Sequence, residues 1–267
     1  MKMEQIMKPA AAAYLERIAY EGPVDGSAEM LALLQQAHLL AVPYENLDIL
    51  NGVPLSLDPE RLWDKIVLRR RGGYCFELNA MFSWLLQELG FSVTNLVARF
   101  WRDETLLPPK RRHHVLKVEA EGRSYLCDVG VGGSVPRRPL LLEDGLVQEQ
   151  GEEAYRLDRD AAFGWFLSER KKGEWGRVYS FTEEPQLADD YLFASYWCQY
   201  APDSPFRTEA KLAICTPEGR NTGVGREIRL FRNGSVTVLA PSTQAEYDEA
   251  LAAHFGIVIA TRDEDNG

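Results

Sequence analysis

The sequence predicts a mixed α/β fold of the α+β type, in which helices and strands occupy largely separate stretches of the chain. Three observations indicate this class. Apolar side chains recur at helical spacing in the first third of the 267 residues, alternate as in strands in the middle third, and follow both patterns in the last third. No repeat, low-complexity tract or flexible linker separates these regions, so we expect them to pack as one body.

Helical patterns dominate residues 1–90, which we treat as a helical domain. Four helices are predicted, over Ala10–Tyr20, Ser27–Leu40, Pro59–Val67 and an apolar segment that ends at Gly90. Pro43 prevents the second helix from continuing, because proline lacks the N–H that a helix interior needs. Gly90 is a favourable residue just past a helix C-terminus, since glycine adopts the left-handed conformation at little cost.

Residues 91–188 follow the strand pattern and are predicted to form a β-barrel domain. The predicted strands are Phe91–Trp101, His113–Ala120, Ser124–Asp128, Ala154–Leu157, Trp165–Glu169 and Arg177–Phe181. Glu121-Gly122 joins the second and third of these as a hairpin, and a polar loop with two prolines separates the first from the second.

Residues 189–267 are predicted to form a third domain of helices and strands. The predicted elements are a helix over Asp189–Tyr200, strands over Lys211–Thr216, Glu227–Phe231 and Ser235–Leu239, and a final helix to about Phe255. Asn233-Gly234 is a strong hairpin signal between the last two strands. Thr243 and Glu246 have the spacing of a capping box, which marks the start of the final helix.

Composition excludes several classes of protein. Hydrophobic residues make up 45% of the chain and charged residues 26%, which is typical of a globular protein able to bury a core. Lys and Arg number 30 against 40 Asp and Glu, a formal charge of −10, which disfavours nucleic-acid binding. No stretch approaches the ~20 apolar residues of a membrane span. We therefore expect neither nucleic acid nor membrane as a partner.

The four cysteines, Cys75, Cys127, Cys198 and Cys215, show no pattern of a metal site. None belongs to a CxxC pair or has a histidine at zinc-ligand spacing, so no metal is expected. A chain of this length is not a small disulfide scaffold, and Met1–Gly22 lacks the apolar core of a signal peptide. Reduced thiols in a cytoplasmic protein are the simplest interpretation.

Cys75 is the candidate nucleophile. It follows Gly72-Gly73 and begins an apolar helix, where free N–H groups and the positive end of the helix dipole stabilise a thiolate. The two glycines allow a sharp turn and the close approach of a substrate. The plainer interpretation is a buried small hydrophobic residue, but this local context favours the nucleophile.

A nucleophilic cysteine requires a base, and the base requires a group that orients it. His113 and His114 begin one strand of the predicted hairpin, and Asp128 ends the other. Adjacent antiparallel strands bring such ends together. Taken alone, the pattern still favours a solvent-exposed histidine pair and an aspartate that starts a turn.

Several segments together resemble the signatures of the arylamine N-acetyltransferases. Arg71–Asn79, RGGYCFELN, is similar to the family's RGGxCFExN, and His38–Asp48 is similar to its HxxxVPFENLD. His113–Gly133 resembles the third signature, which ends in DVGFGG, and Tyr179–Phe181 and Pro202–Phe206 are similar to weaker C-terminal signatures. The resemblance covers most of the chain in the family's order.

The resemblance implies a catalytic triad of cysteine, histidine and aspartate, with Cys75 and Asp128 as the first and last members. The family's histidine lies nine residues before a glycine and fifteen before the aspartate. Counting back from Gly122 and from Asp128 selects His113. His114 is the alternative, although a slip of one residue would turn the imidazole to the other face of the strand.

The resemblance also implies the fold and the reaction. The expected fold has a helical bundle, a β-barrel and an α/β lid around a catalytic core like that of cysteine proteases. The expected reaction moves an acetyl group from acetyl-CoA to the nitrogen of an arylamine or arylhydrazine, by a ping-pong mechanism through acetyl-cysteine, as in xenobiotic metabolism. Acetyl-CoA is the acyl donor, and no metal is required.

Contacts to acetyl-CoA are expected from a glycine-rich loop, with its backbone N–H groups near the phosphates. The candidates are Gly130, Gly132 and Gly133. A simple turn at the end of a strand is the alternative. Three basic residues are further candidates for the phosphates or for plain surface charge: Arg99, Arg111 and Arg112.

Three positions depart from the family's usual residues: Tyr44 and Val131 replace phenylalanines, and Ser195 replaces an asparagine. Val131 opens space near the site and affects the expected substrate preference. Two other functions are compatible with these residues. An amide synthase or a transglutaminase-like amide hydrolase would use the same triad, and a binding module would keep Cys75 inert and buried. The oligomeric state is not predicted.

Overall fold

The computed structural model describes residues 9–102, 104, 107–133 and 135–259, and its N-terminal part is helical, as predicted. Its elements are α1 (Pro9–Arg17), α2 (Ala28–Ala41), the short strand β1 (Tyr44–Glu45), α3 (Leu47–Leu50), α4 (Pro59–Trp63), a π-helical turn (Asp64–Leu68) and α5 (Cys75–Glu88). α1 ends three residues earlier than predicted, because Ala19 adopts a left-handed conformation with φ of 51°.

Local capping explains where these helices start. The Ser27 hydroxyl accepts a hydrogen bond from the Met30 N–H at 3.1 Å, and the Asp58 carboxylate accepts from two N–H groups at the start of α4. At α5 the Glu77 carboxylate reaches back to the Tyr74 N–H at 3.1 Å. This bond fixes the turn that carries Cys75, the first residue of the helix.

The middle of the chain forms an antiparallel eight-stranded sheet in the order β5-β4-β3-β2-β9-β8-β7-β6. Its strands are β2 (Ser92–Phe100), β3 (Arg111–Ala120), β4 (Arg123–Cys127), β5 (Leu140–Leu141), β6 (Val147–Gln150), β7 (Glu153–Asp160), β8 (Gly164–Lys171) and β9 (Glu174–Phe181). The Gln148 side-chain amide bonds both the N–H and the C=O of Leu141. Gln150 does the same to Arg138, so side chains nearly close the barrel between its two short edge strands.

The C-terminal part forms a second antiparallel sheet in the order β1-β10-β11-β12-β13. Its elements are a 3-10 turn (Ala188–Tyr191), α6 (Leu192–Tyr200), β10 (Lys211–Thr216), β11 (Gly219–Val224), β12 (Glu227–Arg232), β13 (Ser235–Leu239) and α7 (Gln244–Phe255). Tyr44 in β1 pairs with Ala213 in β10, so a strand from the helical part completes this sheet. Strand β11 is not predicted from the sequence, because Gly219 and Gly223 weaken its strand pattern.

The largest core lies between the helices and the barrel, and α5 packs directly against β3 and β2. A second core joins β10 and β12 to α7 through Leu212, Ile228 and Leu251. No helix among the described ranges has the length and apolarity to cross a membrane. The predicted α+β class is confirmed, with a helical bundle, a nearly closed barrel and a smaller sheet-and-helix layer. The packing of α5 on β3 brings Cys75 to the barrel.

Candidate active site

Cys75 lines a cavity of about 370 Å³ between the barrel, α5 and the second sheet. Its side chain is 3% exposed, and its position at the start of α5 places it at the end of the helix where N–H groups lack intrahelical partners. His113 and Gly130 line the same cavity. The fold therefore opens a largely buried thiol to a space large enough for small-molecule groups.

The glycine turn before Cys75 has a steric reason. A Cβ atom on Gly72 would lie 1.9 Å from the carbonyl oxygen of Pro43, a distance that no side chain tolerates. The Glu45 N–H donates to the Gly73 carbonyl at 2.9 Å, and Tyr44 forms an isolated parallel bridge with Gly73. The segment around Pro43 and the turn before Cys75 are thus packed backbone against backbone.

A largely buried ion network joins the same two segments. The Arg71 guanidinium bonds Glu45 at 2.6 Å and Asp48 at 3.0 Å. The Lys65 ammonium bonds Asp48 at 2.7 Å and Glu77 at 2.8 Å. Burial opposes the charge on Lys65, but the surrounding carboxylates outweigh it and raise its pKa. The network positions the start of α5, a role that the sequence analysis did not assign to these side chains.

His113 and Asp128 form a buried pair, with 2.6 Å between Nε2 and Oδ2. Burial opposes protonation of His113, but the Asp128 carboxylate outweighs it and raises the pKa of His113 to about 10. The pKa of Asp128 is lowered, since the favourable contact with His113 exceeds the cost of burial. The rings of Phe100 and Tyr179 pack against the imidazole with centroids at 5.5 and 5.1 Å. The imidazole is therefore a fixed cation at neutral pH.

Asn79 holds the other oxygen of Asp128. Its Nδ2 donates to Asp128 Oδ1 at 2.9 Å and to the His114 carbonyl at 2.7 Å, and its Oδ1 accepts from the Val129 N–H at 3.0 Å. In the sequence, Asn79 is singled out only as part of a signature. Its position four residues after Cys75 on one helix face was the available signal.

His114 lies on the opposite face of β3. Its Nε2 bonds the Asn95 side-chain oxygen at 3.0 Å, and its ring stacks on Tyr191 with centroids 4.2 Å apart. Burial, together with the charge on His113, lowers the pKa of His114 to about 3. The structure therefore brings Asp128 to His113 and keeps the neutral His114 ring on the far side of the strand.

The predicted glycine loop lines the cavity beside Cys75. A Cβ on Gly130 would lie 2.6 Å from Cys75 Cα and from Asn79 Nδ2, and one on Gly132 would lie 2.9 Å from the Tyr44 ring. Gly133 has a φ of 111° and open space at its Cβ position. The first two glycines thus have packing reasons to be glycine, whatever they contact in a ligand.

Three cations line the cavity: Arg102, Arg112 and Lys211. Of the three arginines singled out from the sequence, only Arg112 is among its lining residues. Arg99 donates to the Pro109 carbonyl at 2.5 Å, and Arg111 lies 3.6 Å from the Glu184 carboxylate. Among the described residues no group of side chains has the makings of a metal site.

The other three cysteines are free and buried like Cys75. Burial raises the pKa of Cys127 and Cys215, and raises that of Cys198 to about 12. All three are therefore neutral thiols at physiological pH, and none of them lines the cavity that contains Cys75 and His113.

Comparison with known proteins gives consistent matches over nearly the whole chain. A family model described as N-acetyltransferase matches residues 27–264. The arylamine N-acetyltransferase of Mycobacterium tuberculosis strain H37Rv is 38% identical over 254 residues, which cover 93% of this chain and 89% of that protein. The solved Salmonella typhimurium arylamine N-acetyltransferase superimposes with a TM-score of 0.90 at 29% identity, covering 98% of this chain and 96% of that one.

A further solved structure is that of the Mycobacterium marinum arylamine N-acetyltransferase in complex with CoA. It matches with a TM-score of 0.87 at 37% identity, over 92% of each chain. The similarity thus extends to a protein whose structure was solved with CoA bound.

Proposed function

The chain belongs to the arylamine N-acetyltransferase family, and from that premise we propose that it transfers acetyl groups from acetyl-CoA to arylamine or arylhydrazine nitrogens through an acetyl-Cys75 intermediate. The enzyme is an acyltransferase with acetyl-CoA as its donor. Cys75 is the nucleophile, His113 the acid and base, and Asp128 the group that orients His113. The observation that carries these roles is that His113, paired with the buried Asp128 at 2.6 Å, lines one cavity with Cys75.

In the first half-reaction the Cys75 sulfur attacks the carbonyl carbon of acetyl-CoA. The His113 cation stabilises the thiolate form of this sulfur before the attack. The N–H of Cys75, at the start of α5, is a donor for the developing oxyanion. The bond between the carbonyl carbon and the CoA sulfur then breaks, and His113 gives its proton to the leaving CoA thiolate.

In the second half-reaction the amine nitrogen attacks the carbonyl carbon of acetyl-Cys75. His113, neutral after the first step, takes the proton that the nitrogen loses. The carbon–sulfur bond breaks, the amide leaves, and the thiolate–imidazolium pair forms again. Asp128 stabilises each charged state of His113 without itself taking the proton. Splitting one acyl transfer into two explains why one small cavity serves both substrates in turn.

The cavity also contains groups suited to a phosphorylated donor. Arg102 and Lys211 line it together with the backbone of Gly130–Gly133. The Gly130 N–H donates to Asp128 Oδ1 at 2.8 Å. We therefore propose that the remaining N–H groups of this loop and these cations contact acetyl-CoA, since amides and cations together stabilise phosphate charge.

The partners proposed are small molecules, and the location proposed is the cytoplasm. The four free cysteines support a reducing compartment. The net charge of −10 supports the absence of a nucleic-acid partner.

Intact-mass spectrometry with acetyl-CoA alone tests the proposal. We expect uptake of one acetyl group, its loss on addition of an arylamine, and no uptake by Cys75→Ala, which removes the sulfur without changing the surrounding backbone. Turnover of a glutamine amide without an acetyl adduct would instead indicate a transglutaminase-like hydrolase. An adduct that persists in Cys75→Ala would contradict the assigned nucleophile.

A further inference from the structure

Helix α6 turns its large apolar side chains toward solvent and its small or polar side chains toward the core. The exposed ones, which we call the α6 stripe, are Leu192, Phe193, Tyr196 and Tyr200. The buried ones are Ser195, Cys198 and Gln199. A surface helix normally buries its apolar face, whereas Phe193 is 87% exposed. The apolar face of α6 is therefore open to solvent in the single chain.

The α6 stripe is continuous and large. With about 3.6 residues per turn, its four members fall within about 100° of the helix circumference. The rings of Tyr196 and Tyr200 lie against each other with centroids 4.5 Å apart, and Leu187, just before the 3-10 turn that precedes α6, is 75% exposed as well. At roughly 200 Å² for a whole aromatic side chain, the three rings of the stripe expose roughly 400 Å². An apolar patch of this size indicates an interaction surface.

A groove of about 320 Å³ lies beside the stripe. Phe193 lines it together with the apolar side chains of Val97, Ala194 and Trp197, and the Lys110 ammonium lies 4.6 Å from the centre of the Trp197 ring. One surface thus carries both projecting aromatic rings and an apolar recess wide enough for such a ring. Two copies related by a two-fold axis can therefore each place a ring of the stripe in the groove of the other.

Charges of opposite sign flank the two ends of α6, which itself carries none. Asp189 and Asp190 lie just before its first residue. At its other end Arg207 donates to the carbonyl of the last residue at 3.0 Å, and Lys110 lies over the ring one turn earlier. Asp203, 3.7 Å from Lys110, offsets only one of these two cations. One end of α6 is therefore acidic and the other is basic.

This order of charges is complementary to a second copy of the same helix in the antiparallel direction. Each acidic end then meets the basic end of the other copy, and the two helix dipoles are also opposed. A parallel copy would bring like charges together at both ends. An anionic membrane surface fits less well, because the acidic end of α6 and the net charge of −10 would both be repelled by it.

We propose that the α6 stripe is the centre of a two-fold homodimer interface, in which the helices of two copies pack antiparallel and Asp189 of one copy approaches Lys110 of the other. The apolar stripe forms the middle of this interface and the charged ends form its rim, the usual arrangement of protein–protein interfaces. The inference is independent of the proposed acetyl transfer, because none of the stripe residues lines the catalytic cavity.

Sedimentation equilibrium of the full chain tests the interface. We expect the wild type to reach twice its mass of 30.2 kDa, with a Kd of about 1–10 μM. Phe193→Glu should raise this Kd at least about a hundredfold, because it places two like charges in the apolar centre of the interface. Val238→Glu is the matched control, since Val238 is a half-exposed apolar residue on β13, and it should leave the Kd unchanged. Unchanged melting temperatures show that both variants are folded.

A charge exchange tests the antiparallel order. Asp189→Lys and Lys110→Asp should each raise the Kd about threefold to tenfold, because each replaces two attractive contacts with two repulsive ones. The double variant should return close to the wild-type Kd, since it restores opposite charges at both ends of the interface.

Four results would overturn the proposal. The first is a wild type that stays monomeric at every concentration, and the second is a dimer that Phe193→Glu leaves intact. The third is a double charge variant no tighter than the single ones, which would exclude the antiparallel order. The fourth is a monomer that sediments with phosphatidylcholine vesicles unless Phe193 is replaced, which would assign the stripe to a lipid surface.

Discussion

The two faces of β3 carry the same residue type in consecutive positions and give it opposite properties. On one face His113 meets the Asp128 carboxylate, and its pKa rises to about 10. On the other face His114 meets a neutral amide and the Tyr191 ring, and its pKa falls to about 3. Both side chains are almost fully buried. Burial lowers the pKa of both histidines, and only the Asp128 carboxylate beside His113 outweighs it.

The partners differ because different elements pack on the two faces. The end of β4 brings Asp128 to one face, and Asn79 on α5 bonds its second oxygen. The 3-10 turn before α6 brings Tyr191 to the other face, and β2 contributes Asn95. A charged pair beside Cys75 and a neutral ring stack are thus built from a single strand. If this difference between the two faces matters, substitutions on each face should affect activity and stability differently.

Replacing the two histidines should separate the faces most strongly. His113→Ala removes the acid and base, so we expect a loss of acetyl transfer of about a thousandfold or more. His114→Ala should keep much of the activity. The same order is expected for alkylation of Cys75 by iodoacetamide near pH 7, because of the two histidines only His113 lines the cavity with Cys75.

Steady-state kinetics and peptide mapping of the alkylated protein measure both effects. If His114→Ala lost the activity and the fast alkylation while His113→Ala kept them, the base would be His114. If neither variant changed the alkylation rate, the thiolate–imidazolium pair itself would be wrong.

The sequence predicted more of this site than of the sheet that surrounds it. The hairpin of β3 and β4 follows from strand alternation around Glu121-Gly122, and counting along the family's signature points to His113. The bulge at Arg112 could not be predicted, because it depends on how β2 pairs with β3. From the sequence, Arg112 was a candidate for the phosphates of the donor or for surface charge, and alternation alone would keep it out of a cavity that His113 faces.

The role of Asn79 and the closure of the barrel show the same limit. Helical spacing places Asn79 one turn after Cys75, but its three hydrogen bonds depend on where β4 ends. The edge strands β5 and β6 have two and four residues. These are too short for the alternation of apolar and polar residues to predict a strand. Side-chain amides of Gln148 and Gln150 replace the missing backbone ladder. Such contacts between distant segments are tertiary facts that local periodicity does not encode.

Adding one methyl group at Gly130, beside Cys75, should inactivate the site. A Cβ on Gly130 would lie 2.6 Å from Cys75 Cα, so Gly130→Ala must displace the start of α5 from the loop after β4. We expect activity to fall about a hundredfold or more and the melting temperature to drop by several degrees. Gly176→Ala is the matched control, because nothing lies within 4 Å of its Cβ position. Equal activity in the two variants would show that Cys75 tolerates displacement.

Replacing the asparagine near each histidine should affect the two faces of β3 differently. Asn79→Ala takes a hydrogen bond from Asp128 Oδ1, so the pKa of Asp128 should rise and acetyl transfer should fall about tenfold to a hundredfold. Asn95→Ala takes the partner of His114 and should lower stability by about 1–3 kcal/mol with little change in kcat. The pH profile of kcat distinguishes positioning from general damage. Only Asn79→Ala should move its acid limb, and a shift in both variants, or in neither, would contradict separate roles.

The smallest expected effect is on stability against pH, and here the two histidines act in opposite directions. The pKa of His113 is raised in the folded state to about 10, so its stabilisation is fully present below about 6.5 and is lost as the pH rises toward 10. The pKa of His114 is lowered to about 3. Below about pH 6.5 the His114 imidazole is therefore protonated in the unfolded chain but stays neutral in the folded chain. The free energy of unfolding falls as the pH drops below that value.

Urea denaturation between pH 5 and 10 measures both slopes, with His113→Gln and His114→Gln as variants that keep a polar side chain without the titration. We expect His113→Gln to flatten the alkaline side and His114→Gln to flatten the acid side. The acid-side change should be about 2 kcal/mol between pH 6.5 and 5, since one pKa unit corresponds to about 1.4 kcal/mol. His38, whose pKa burial also lowers to about 3, adds the same acid slope to every variant, and the differences between variants remove it. If His114→Gln flattened the alkaline side instead, the charged pair would lie on the other face of β3, and the assignment of His113 as the base would fall with it.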